Sequence, residues 1–131
     1  MPALPKQPKP SNPTSIRLAW RAEHRAADQA RIAGDTAQEW KHLERAHILS
    51  QPLAGAHVRT HGAMFAAALR RRERKEVVGQ TVRLLVAGPG SLTGRYPVGN
   101  TGGADVSALA PMPIPDDLRE ILEPTGGRAQ P

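Results

Sequence analysis

The chain has 131 residues, no cysteine and a formal charge of +6. That length supports one domain with a modest core, and the missing cysteines exclude disulfides and thiolate metal ligands. No apolar run is long enough to span a membrane and none follows the N-terminus as in a secretory signal, so a cytoplasmic protein is expected.

Residues 1–14, "MPALPKQPKPSNPT", are rich in proline and read as a flexible arm. The folded domain is expected over 15–122, with a flexible tail at 123–131. A first helix opens at "PTSIRLAWRAEHRAADQARIAG", with Thr14 or Ser15 as cap and Gly34 as its close. A second starts at Asp35 or Thr36, carries Glu39 in its first turn and stops at Pro52. A third starts near Ala54 and runs through "HVRTHGAMFAAALRRRERKEVVGQTVRLLVAG", with Gly79 as a possible bend and Gly88, Pro89 and Gly90 as its end. Short connections at Gly34 and Pro52 make neighbouring helices antiparallel. The expected fold is all-α: a small antiparallel three-helix core, a Gly/Pro-rich extended wrap at 89–118, and a short terminal helix at Pro115–Leu122.

Helical phase then selects the inner faces, at about 100° per residue. Along the second helix Glu44 and His47 share the face of Trp40 and Leu43, whereas His42 falls on the opposite side with Lys41 and Arg45. Along the third, His57 and His61 stack one turn apart on the face of Met64 and Ala68. On the first, Glu23 lies in the stripe of Ile16, Trp20 and Ala27, and His24 sits at its margin. Buried carboxylates and imidazoles without partners cost several kcal/mol each. One divalent cation satisfies both kinds of group at once, and His-x-x-x-His and Glu-x-x-His are chelating spacings.

The candidate metal residues are therefore Glu23, Glu44, His47, His57 and His61. Imidazole with carboxylate suits zinc first, with iron or nickel as further candidates. A di-iron oxygenase is disfavoured, because only one inward Glu-x-x-His unit is present. A buried polar network, in which Glu23 and Glu44 hold protonated histidines, is the structural alternative.

"WKHLERAHILSQ", "HVRTHGAM" and "YPVGNTGGADVSALAPMPIPDDL" together resemble a family of small bacterial proteins known only as a domain of unknown function. The likeness covers about residues 36–118 and singles out Leu43, Glu44, His47, Gln51, His57, His61, Asn100, Thr101, Gly102, Pro111 and Pro113. It implies that the wrap belongs to the domain, and it implies no activity. "AGDTAQEWKHLERAHILSQP" is also similar to half of a tetratricopeptide repeat, but no second copy follows at the spacing of about 34 residues.

The function expected is a transition-metal-binding helical protein: a sensor, carrier or resistance accessory. Metal-assisted hydrolysis, with Glu44 as base, is the enzymatic version. The alternatives are a protein-interaction adaptor without metal, or a basic nucleic-acid module using Arg70–Lys75. Residues 1–100 carry 16 basic and 7 acidic side chains, or +9, against 2 and 5, or −3, in 101–131. Glu73 and Glu76 interrupt the basic run, and one tyrosine and one phenylalanine leave little for base stacking, so only non-specific nucleic-acid binding is expected.

Overall fold

In the computed structural model the residues described are 4–7, 12–95, 98–103 and 111–124, without the side chains of 85–91. Among the described residues five helices follow one another: α1 Pro13–Ile32, α2 Thr36–Ser50, α3 Ala54–Arg71, α4 Arg74–Leu92 and α5 Asp116–Leu122. The all-α class stands, and the core helices form a small bundle. α1 packs on α2, α2 on α3 and α3 on α4, while α5 touches α1 and α2. No described helix is long and apolar enough to cross a membrane.

Local chemistry sets the boundaries. α1 starts earlier than its sequence suggests: Asn12, not Thr14 or Ser15, is the cap, and its Oδ1 accepts the Ser15 N–H at 3.1 Å. Pro13 then stands in the first turn, where a missing N–H costs nothing. Asp35 caps α2 by accepting from the Gln38 N–H at 3.0 Å. Gly34, at φ +74°, turns the chain between them.

The expected long third helix is two helices. The break falls at Arg72 and Glu73 rather than at Gly79, which lies inside α4. Arg72 takes the left-handed conformation at φ 56°, which costs a residue with a Cβ about 1–2 kcal/mol. Two backbone bonds offset that cost, from Arg72 N–H to Leu69 O and from Glu73 N–H to Ala68 O. α4 in turn runs through Gly88, Pro89 and Gly90, which were expected to end it. Pro89 removes one backbone donor there without stopping a helix so close to its own end.

Two apolar clusters hold the bundle. Ile16, Trp20, Ala46, Ile48, Leu49 and Leu118 form one, against which Ile114, Ile121 and Leu122 pack. Ala27, Leu43, Met64 and Ala67 form the other, flanked by Trp40. Of the expected wrap at 89–118, residues 89–92 are instead the end of α4 and 116–118 the start of α5, and the described remainder outside helices is 93–95, 98–103 and 111–115. Within them the Met112 N–H donates to Val98 O at 2.9 Å, and the Gly99 N–H to Gln51 Oε1 at 3.2 Å. Val106 and Leu109, two apolar residues of that stretch, lie outside the described residues. At the other end of the chain, the Gln7 N–H donates to Gly94 O at 2.7 Å.

Candidate metal centre

α2 delivers His47 from the stretch Ala46–Ser50, which is buried throughout, and α3 delivers His57 and His61 one turn apart. The turn between these helices is compact: the Leu53 N–H donates to Ser50 O, and Ser50 Oγ donates to His47 O, each at 2.8 Å. As a result the three imidazoles meet at one point. Their Nε2 atoms are 3.0 Å apart for His47–His61, 3.0 Å for His47–His57 and 3.2 Å for His57–His61. The rings are tilted against one another by 41° to 70°, so nitrogens rather than ring faces converge. All three are buried, and they form a group able to hold a metal ion.

The outward nitrogens fix which atoms carry protons. His47 Nδ1 stands 2.6 Å from the Asn100 carbonyl oxygen. A carbonyl only accepts, so His47 carries its proton on Nδ1. His61 Nδ1 stands 2.6 Å from Gln80 Oε1, while Gln80 Nε2 donates to Gly102 O at 2.7 Å. His61 is therefore an Nδ1–H donor as well. In the neutral rings, Nε2 of His47 and Nε2 of His61 are bare lone pairs facing each other at 3.0 Å.

Protonation does not relieve that contact at neutral pH. Burial, followed by the neighbouring His61 and His57, pushes the His47 imidazole well below its usual range. Burial also lowers His61, to about 4, with the Arg83 charge acting in the same direction. Among the described residues no carboxylate is bonded to either ring. Glu23 instead holds His42, outside the cluster.

The match to a family falls on this same geometry. The chain belongs to the family described as "Protein of unknown function (DUF3703)", which matches residues 14–122. No curated protein and no solved structure matches it. The family span takes in all three histidines and the residues that orient them.

Of the five residues proposed from sequence, the structure brings three together. Glu23 does face α2, but its carboxylate accepts from His42 Nδ1 at 2.7 Å and from Arg45 Nε at 2.9 Å. Helical phase gives an angle and not a level: His42 lies five residues before His47, about 7.5 Å along the axis. His42, expected on the open surface, is accordingly half-buried against Glu23. Glu44 is half-buried and stands outside the histidine group. His24 bonds Thr60 Oγ1 at 3.2 Å, beside Trp20.

Gln80, Asn100 and Gly102 complete the surroundings. Asn100 and Gly102 are among the positions singled out by resemblance. Gln80 was missed, because inside an apparently continuous helix a glutamine carries no signal of an inner role. Gly102, at φ +83°, lies so close to His47 that a Cβ there would sit 2.7–2.9 Å from the ring atoms. The basic run has its own structural work. Arg70 pairs with buried Glu39, and Arg71 lies 5.6 Å from the Trp40 ring centre and pairs with Glu73.

Proposed function

We propose that this protein binds a divalent transition metal ion through Nε2 of His47, His57 and His61, as a metal sensor, carrier or resistance accessory. One observation carries this reading: two lone pairs, fixed by their outward Nδ1–H donors, face each other at 3.0 Å in a buried site with a third imidazole beside them. Such a contact is repulsive when empty and attractive around a cation. The spacing supports it quantitatively. Two nitrogens bound to zinc at about 2.0–2.1 Å are about 3.3 Å apart in a tetrahedral arrangement and about 2.9 Å in an octahedral one. The three separations of 3.0–3.2 Å fall between those values.

Zinc is the first candidate, with iron and nickel next, since three imidazoles serve all of them. Glu23 and Glu44 are left out of the ligand set, because Glu23 is engaged with His42 and Arg45 and Glu44 is not in the group of converging ligand atoms. In the basic run Arg70 pairs with Glu39 and Arg71 with Glu73 and the Trp40 ring, which supports a structural role for these two arginines.

The test is elemental analysis of untagged protein, followed by calorimetric titration with zinc, iron(II) and nickel. Submillimolar or tighter binding at one site per chain, with a higher melting temperature of the loaded form, is expected. No metal bound more tightly than millimolar would reduce the three histidines to a polar feature of the core.

A further inference from the structure

The amide of Gln80 has an acceptor end and a donor end, and its surroundings allow one orientation. Nε2 points at two acceptors, Gly102 O at 2.7 Å and Glu76 Oε2 at 3.2 Å. Neither oxygen can donate in the carbonyl and carboxylate forms, so the NH2 must face them. Oε1 is then left facing His61 Nδ1 at 2.6 Å, and that ring must protonate on Nδ1. Its Nε2 lone pair is thereby turned towards His47 and His57. Gln80 is fully buried, so water does not stand in for these contacts.

The same amide reaches the other side of the centre. Gly102, whose carbonyl it holds, packs on the His47 ring, and the Gly102 N–H donates to Asn100 Oδ1 at 2.9 Å. Asn100 O in turn accepts from His47 Nδ1. One side chain from α4 thus sets the proton position on His61 and anchors the segment that sets it on His47.

We propose that Gln80 is the positioning residue of the centre: without touching the metal, it fixes the imidazole tautomers and joins the strap at 98–103 to the ligand set. The inference rests on the metal-binding reading, and it is a neutral amide rather than a carboxylate that does the orienting. Groups hydrogen-bonded to metal-binding histidines commonly contribute 10–100-fold to affinity.

The test uses the full chain and two substitutions of similar size, Gln80→Leu and Gln80→Glu. Nitrogen-15 correlation spectra of the metal-free protein read the tautomer of each histidine directly. Wild type should show Nδ1–H on His61. Gln80→Leu should lose it, and Gln80→Glu, which keeps an acceptor, should restore it. With zinc as the probe, Gln80→Leu should bind about 10–100-fold more weakly, and Gln80→Glu, which restores the acceptor for His61 but not the donor to Gly102 O, should recover only part of the loss. Circular dichroism shows whether each variant is folded. If Gln80→Leu does not fold, the wild-type spectrum and Gln80→Glu still decide.

An Nε2–H tautomer on His61 in the wild type would overturn the role of Gln80 whether or not zinc binds. So would a folded Gln80→Leu with wild-type zinc affinity. A wild type with Nδ1–H on His61 but no zinc binding would instead overturn the metal reading and the affinity claim with it.

Discussion

His42 and His47 sit on the same helix five residues apart, and they live in opposite electrostatic settings. His42 has a carboxylate at 2.7 Å, with Arg45 bridging from that carboxylate to Asp117 on α5. It is an element of a surface network that ties α1, α2 and α5 together. His47 has two imidazoles at 3.0 Å and a backbone carbonyl behind it. A histidine beside a carboxylate is satisfied by donating to it, whereas three histidines whose ring nitrogens converge could hold a metal ion. The residue type is the same, and the neighbours decide its chemistry.

The strongest way to break that contrast is to remove a member of the cluster. His61→Ala should lower zinc affinity by at least about a hundredfold, because a direct ligand contributes more than the groups that orient it. His42→Ala should leave affinity unchanged in the same calorimetric titration. Equal damage from the two substitutions would erase the distinction between the two settings.

Acid should act on the metal-free cluster next. His61 titrates near 4 in the fold against 6.5 for the free side chain, because burial disfavours its charged form. Between those values the unfolded chain holds more protons than the folded one, so stability falls as pH drops through that window and levels off below it. The span corresponds to roughly 3 kcal/mol from His61, and the buried His47 adds in the same direction. Urea unfolding of metal-free protein across the window measures it; a flat stability would mean that these rings are not buried neutral.

Gly102→Ala sharpens the comparison from the side of the strap. A Cβ would press on the His47 ring from a backbone at φ +83°, and a cost of about 2 kcal/mol is expected, with weaker zinc binding. His42→Ala should cost the least, about 1 kcal/mol of stability, since it removes one half-buried pair. Chemical denaturation of the two variants side by side gives the ranking.

The inner faces of α2 and α3 were readable because apolar residues at helical spacing mark them, and His47, His57 and His61 fall in phase with Leu43 and Met64. What periodicity could not supply was height along the bundle, and Glu23 meets His42 and Arg45 rather than the histidines that its helical phase suggests. The end of α3 was equally illegible. An arginine in the left-handed region carries no compositional mark, whereas Gly79, which does, lies within a regular helix. The hidden break is also what concealed Gln80. Only once the chain folds back at Arg72 does a residue 19 positions after His61 come within hydrogen-bond reach of it.

The contact between His47 and Asn100 spans 53 positions of sequence. During synthesis, which adds about 5–20 residues per second from the N-terminus, α2 and α3 are complete well before Asn100 is made. For that interval the three imidazoles are available without the carbonyl that orients His47, and a nascent chain can present them to a cation in either tautomer. The order of synthesis therefore supplies the strap at 98–103, the part of these surroundings farthest from His47 in sequence, after the histidines that it orients.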